Sequence, residues 1–230
     1  MTGDYDVTTR AAAGPLPISA LPAGPAFSRL PGALCTAGGL IAAAGAAWSA
    51  GLSSPVPVED VSWPYGPGLF RGTEVLWALT HVLTFLGALG LARSGLAGRG
   101  RAARVGLPVM LVGMALLVPC ELAFIPFAHG TTDDLGPVLA STLIGIASMI
   151  AGVGFVLTGV GVLRSPGGRS LAGASRFLPL LCGVFVFVGL TPLVMAGGRV
   201  FFLGVGTWNV LLALLGVALA RAANGPAPVR

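Results

Sequence analysis

The chain has 230 residues, of which 55% are hydrophobic and only 9% charged, and its mean hydropathy is +0.90. A soluble domain usually carries about 25% charged residues. The composition therefore excludes a soluble globular domain, a disordered chain and, despite a pI near 10.1, a nucleic-acid-binding domain. Three cysteines are too few, and odd in number, for a disulfide scaffold. What remains is an all-α polytopic membrane helix bundle. All thirteen basic residues are Arg, a bias that points to a GC-rich, bacterial source.

Residues 1–29 mix Pro15, Pro17, Pro22 and Pro25 with glycines and small polar residues and show no apolar period, which predicts a flexible tail. A signal peptide is not expected, because Asp4 and Asp6 would make its first region acidic and the first apolar run starts only after Arg29. Six apolar stretches follow, at about 31–52, 73–92, 105–127, 136–163, 177–196 and 200–222. Each is near the ~20 residues that cross ~30 Å of hydrocarbon. The fourth is over-long and is expected to tilt. The turn at Gly197-Gly198-Arg199 is so short that helices five and six must be antiparallel neighbours. Residues 30–222 thus form a six-helix transmembrane domain, and 223–230 a short tail.

Orientation follows from the arginines, which are retained on the cytoplasmic side when they lie near span ends. Arg10 and Arg29 in the first tail, Arg93, Arg99, Arg101 and Arg104 after span two, Arg164, Arg169 and Arg176 after span four, and Arg221 and Arg230 at the end all fall on one side. Only Arg71 and Arg199 fall on the other. Eleven against two puts both termini in the cytoplasm and the protein in the inner (cytoplasmic) membrane as a multi-pass chain. Glu59, Asp60, Asp133 and Asp134 occupy the external loops, with Glu74 at the outer start of span two.

Thirty-six glycines are more than loops require. Small residues four apart, such as Gly38 with Ala42 and Gly39 with Ala43, let helix backbones approach closely, within one bundle or between copies in a homo-oligomer. Cys35 and Cys182 fall toward the inner side and Cys120 toward the outer, with no CxxC pattern, so the thiols are expected to pack as small hydrophobes.

An ionisable group at membrane depth costs ~2.5–3.5 kcal/mol on insertion scales, which makes each one a candidate for function. With a rise of about 1.5 Å per residue, Glu74 lies at the outer surface, His81 about 12 Å below it and Glu121 roughly 9 Å below it. Asn209 lies about 13 Å deep, and Ser141, Thr142 and Thr191 share that half. The polar groups thus gather in one leaflet, where they would form a cavity open to, or capped from, the outside. Glu74 and His81 are seven apart and share a helix face with Trp77 and Thr84, so His81 is expected to partner Glu74 along that face or Glu121 across helices. Glu121 stands between Pro119 and Pro126, which weaken the helix ladder. A carboxyl group in that apolar setting is suited to carry a proton and deliver it. Its plain alternative is a hydrogen-bonded side chain that fixes the third helix. Glu121, His81 and Glu74 are therefore the candidate catalytic groups, and Asn209, Trp77, Phe124 and Trp208 the candidate substrate-binding ones.

His129 with Asp133 and Asp134 has a generic spacing in a polar loop, which predicts a solvated turn in which one Asp helps cap helix four, not a metal site. Trp63, Tyr65 and Phe70 read as an interfacial aromatic belt or as a lid over the cavity. No Walker, HExxH or GxSxG pattern occurs, and a single intramembrane His excludes a bis-His haem, so no cofactor and no metal are expected.

Cys120-Glu121-Leu122-Ala123-Phe124 resembles the acidic residue followed by an aromatic of the small integral-membrane terpene cyclases. The resemblance covers about five residues. It implies a membrane enzyme in which Glu121 protonates an alkene or epoxide of a hydrophobic isoprenoid or lipid substrate, with His81 or Glu74 assisting. The alternative class is non-enzymatic: a small proton-coupled carrier, or an accessory or immunity subunit that binds a partner through its glycine faces. The bilayer and a hydrophobic small molecule are the expected partners, and nucleic acid is not.

Overall fold

The computed structural model describes residues 28–223, so the two tails read from the sequence lie almost wholly outside the described residues. No strand forms among these; a single β-bridge pairs Asp60 with Thr131. Helices α1 (Leu30–Gly51), α2 (Pro67–Arg93), α3 (Arg101–Leu122) and α4 (Leu135–Arg164) are followed by α5 (Leu178–Phe185), a π turn (Val186–Leu190), α6 (Thr191–Ala196) and α7 (Gly198–Ala222). Helix α3 is extended by a 3-10 turn at Ile125–Phe127. With α5, the π turn and α6 forming one crossing, six helical segments are long and apolar enough to span a bilayer. The chain is a multi-pass membrane protein.

Each crossing packs against the next, and α7 closes the ring on α1. Close approach comes from glycine. A Cβ at Gly39 would lie 2.6 Å from the Asn209 carbonyl oxygen on α7, and one at Gly113 the same distance from Ala151 Cα on α4. Gly38 meets α2 at Thr80 and Leu83. The small-residue faces of α1 are thus occupied within the chain.

The centre of the ring is unevenly filled. Toward the arginine-bearing end it is packed by Leu91, Met110, Phe155, Val162, Leu212, Leu215 and Leu219, all essentially inaccessible. Toward the opposite end, which carries the acidic loops, the centre is hollow.

Three departures from the expected spans shape that hollow. Helix α2 begins at Pro67, not at 73, because Gly66 turns the chain at φ +75° and Pro67 supplies a fixed first helical residue. Glu74 is accordingly not a wet interfacial carboxylate but a buried one, 6% exposed. The fifth crossing is not a continuous α-helix: Pro192 has no N–H to give the preceding turn, the ladder widens over Val186–Leu190, and the Thr191 hydroxyl donates to the Val186 carbonyl at 2.7 Å. The loop 123–134 crosses to the loop 52–66, where Val61 N–H donates to the Gly130 carbonyl at 3.0 Å and Thr132 N–H to the Glu59 carbonyl at 2.8 Å. Asp134 stands at the start of α4, yet its carboxylate accepts the Thr131 N–H at 2.8 Å and makes no helix cap. His129, Asp133 and Asp134 are solvent-exposed.

Candidate functional site

The hollow end of the ring is a cavity of about 800 Å³, and Glu74, Trp77, His81, Glu121, Phe124, Trp208 and Asn209 all line it. All seven residues singled out from the sequence therefore meet in one space. They come from four elements: α2 gives Glu74, Trp77 and His81 on one face, α3 gives Glu121 in its last turn, the segment beyond gives Phe124, and α7 gives Trp208 and Asn209.

His81 Nε2 and Glu121 Oε1 lie 2.9 Å apart, with their side chains 8% and 15% exposed. This contact links the packed helices α2 and α3 through their side chains at the cavity wall. The Glu74 carboxyl group adjoins that of Glu121, but its Oε2 is buried without a hydrogen-bond partner. Two carboxyl groups and an imidazole thus share one corner.

The side-chain donors of Asn209 and Trp208 each have a partner within the protein. The Asn209 amide donates to the Val205 carbonyl at 2.9 Å, and the Trp208 indole N–H donates to the Cys182 carbonyl at 3.2 Å. Trp208 consequently offers the cavity its ring and not its donor. Cys35 and Cys182 are buried away from the cavity, and the Cys35 thiol donates to the Leu212 carbonyl at 3.3 Å.

The loop-side wall of the cavity is aromatic. Trp63, Tyr65 and Phe70 line it together with Phe201 and Phe202 of α7. Trp63 stacks on Phe202 at 5.9 Å, Tyr65 stacks on Trp48 at 5.8 Å, and Tyr65 meets Phe202 edge-on at 6.4 Å. The Tyr65 hydroxyl is hydrogen-bonded to that of Ser49, which also donates to the Gly45 carbonyl at 2.7 Å. Burial pushes the Tyr65 phenol above its usual range, and the nearby Glu74 and Glu121 carboxyls push the same way. These rings cover the loop end of the cavity, the position that the lid reading of the first aromatic loop requires. Phe201 and Phe202 carry no polar signal that distinguishes them in sequence; their position after the Gly197 turn, at the same depth as the lid, is the one clue.

Among the described residues, none that lines the cavity is an Arg. The chamber offers a substrate mainly apolar and aromatic walls, one hydrogen-bonded acid and base pair, a second acid beside it in Glu74, and Asp60 with a few hydroxyl groups elsewhere in the lining. Comparison with protein-family models, with curated proteins and with solved structures finds no match to this chain.

Proposed function

We propose that the protein is a membrane-embedded acid catalyst that acts on a hydrophobic isoprenoid or lipid substrate, in the manner of a terpene cyclase. The observation that carries this reading is the triad Glu74, His81 and Glu121 on the wall of a cavity lined mainly by apolar and aromatic side chains, with Asp60 and a few hydroxyl and amide groups among them. Glu121 delivers its proton to an alkene carbon or an epoxide oxygen. The alkene π pair becomes the new C–H bond, or the epoxide C–O bond breaks as the O–H bond forms, and a carbocation results. A second double bond attacks the cation and closes a ring. Loss of a proton from a neighbouring carbon to the Glu121 carboxylate, or to His81, restores an alkene and regenerates the acid. Atoms and electrons balance without an oxidant or a second substrate.

His81, at 2.9 Å, fixes the rotamer of Glu121 and can exchange a proton with it, while Glu74 is a second store for that proton. The rings of Trp63, Trp77, Phe202 and Trp208 line the cavity, and an aromatic face toward a cation is worth about 0.5–2 kcal/mol. With the arginines in the cytoplasm the termini are cytoplasmic, the cavity lies in the outer half of the inner membrane, and the lid faces outward.

The test is metabolite profiling of cells that express the wild-type protein or Glu121→Gln, with folding of the variant checked by its melting curve. A new isoprenoid product that falls by about 100-fold or more in the variant supports the reading, that being the scale of a lost general acid. A product made equally by both proteins sinks it, and a pH-driven flux lost in the variant would establish the carrier instead.

A further inference from the structure

The cavity is not closed by its ring of helices on every side. Its lining includes Ser141, Gly145 and Met149 on α4, and Thr191, Val194 and Met195 on the opposite side of a cleft. Helix α4 packs against α5 and touches the π turn, but has little contact with α6 beyond it. Below the π turn the two crossings are locked, since a Cβ at Gly183 would lie 2.5 Å from the Val156 nitrogen. Above it they part. The widened turn and Pro192 redirect the chain there.

Three properties of the cleft bear on what fills it. Gly145 stands roughly 15 Å along α4 from Leu135, well inside the hydrocarbon span, so the cleft faces acyl chains and not water. A Cβ at Gly145 would meet nothing within 4 Å, so the helix surface there is open. Met149 and Met195, 44% and 81% exposed, flank the cleft with unbranched, adaptable side chains. The inner end of the same space is the polar corner of Glu74, His81 and Glu121.

We propose that this cleft is a lateral opening to the bilayer, and that it binds the linear hydrocarbon chain of a lipid-phase ligand whose polar or reactive end sits at the carboxyl corner. The inference deepens the acid-catalyst reading and rests on it for the role of that corner. The ligand arrives from the membrane and not through the loop lid, which is held by the paired loops 52–66 and 123–134. Chains longer than the cavity are accommodated because the surplus length remains in the bilayer. The cleft therefore sets an apolar chain as the substrate requirement and leaves its total length loosely restricted.

The experiment uses the full-length protein in phosphatidylcholine vesicles, photolysed in one arm with diazirine-tagged geranylgeraniol and in another with diazirine-tagged palmitic acid, with adducts mapped by mass spectrometry. Adducts at 141–149 and 190–195 are expected to exceed, several-fold, those on the α3 face that carries the comparably exposed Val105 and Val112. Gly145→Trp is expected to lower adducts inside the cavity, at Phe202 and Trp208, several-fold, and Gly145→Leu to lower them less. Adducts on the α3 face stay constant in both. Equal labelling of the cleft and the α3 face, or undiminished cavity adducts in both Gly145 variants, overturns the proposal. The ratio of the two arms distinguishes an isoprenoid from an acyl chain. Glu121→Gln leaves the cleft intact, so cleft labelling is expected to persist in that variant; cleft labelling in a wild-type protein that makes no product leaves the opening standing while the catalytic reading falls, and conversion retained with cleft labelling no greater than on the α3 face does the reverse.

Discussion

His81 and Glu121 stand forty positions apart in the chain, and their side chains meet at 2.9 Å. The contact is made possible by two facts about helix ends. Starting at Pro67, α2 places His81 deep on its inward face, and α3 runs far enough to put Glu121 in its last turn. Glu74, two helical turns before His81, then lands beside the same carboxyl group.

This geometry predicts a measurable coupling. His81→Leu leaves the Glu121 carboxyl without its partner, and Glu121→Leu does the same to the imidazole; each is expected to cost about 1–3 kcal/mol. The double variant is expected to lose less than the sum, by about 1 kcal/mol, above the ~0.6 kcal/mol average for hydrogen bonds between membrane helices because either partner can carry charge. Unfolding of the four proteins in mixed micelles measures the cycle. Strict additivity would mean that the contact contributes nothing to the bundle.

The depth of these groups was legible in the sequence because a membrane span fixes depth by residue count. Glu121, His81 and Asn209 could be assigned to one leaflet without knowing which helices touch. What was not legible depends on local backbone choices that hydropathy does not register. Residues 67–72 read as part of an aromatic loop, so Glu74 was placed at a wet surface; the turn at Gly66 is what buries it. Residues 186–190 are as apolar in a π turn as in an α-helix, and the cleft that follows from it has no counterpart in composition. The lid likewise depends on Trp63 stacking on Phe202, a pairing between distant parts of the chain.

Tyr65 provides a pH test outside the membrane spans. Its phenol is raised by burial above the ordinary value of about 10, so the folded state favours the neutral form more than the unfolded state does. Stability from this group is fully present below the ordinary value and is lost as pH rises through the folded one. Tyr65→Phe is expected to cost about 1 kcal/mol at neutral pH, because the hydrogen bond to Ser49 is lost. It is also expected to flatten the alkaline fall in melting temperature. Melting curves recorded from pH 7 to 11 compare the two proteins, and an alkaline limb that is identical in both would remove Tyr65 as its source.

The packing of α1 on α7 predicts a contrast between two glycines. Gly39→Ala brings a methyl group to 2.6 Å from the Asn209 carbonyl and is expected to destabilise by about 1–3 kcal/mol, with Asn209 displaced at the cavity wall. Gly72→Ala, on α2, meets nothing within 4 Å and is expected to be neutral or to stabilise by up to about 1 kcal/mol. Parallel melting curves in detergent decide the matter. Equal effects at the two positions would show that close backbone approach is not what holds α1 to α7.

Orientation decides which compartment the lid faces, and the arginines give a direct expectation. Thr131 lies at the acidic end and Ser170 at the arginine end, and both are exposed. In a Cys120→Ala background, which removes the one native thiol that is not fully buried, Thr131→Cys is expected to react with a membrane-impermeant maleimide in intact cells. Ser170→Cys is expected to react only after permeabilisation. Basic residues near span ends resist translocation, and the Ser170 end carries Arg93, Arg99, Arg101, Arg104, Arg164, Arg169 and Arg176 against Arg71 and Arg199 at the other. Changing Arg99, Arg101 and Arg104 together to Asn should weaken that bias and let a fraction of the chains insert inverted, so that Ser170→Cys becomes reactive in intact cells. If Thr131→Cys were shielded and Ser170→Cys reactive in the starting protein, the bundle would be inverted. The carboxyl corner would then lie in the cytoplasmic leaflet, and an isoprenoid substrate would have to reach the cleft from that side.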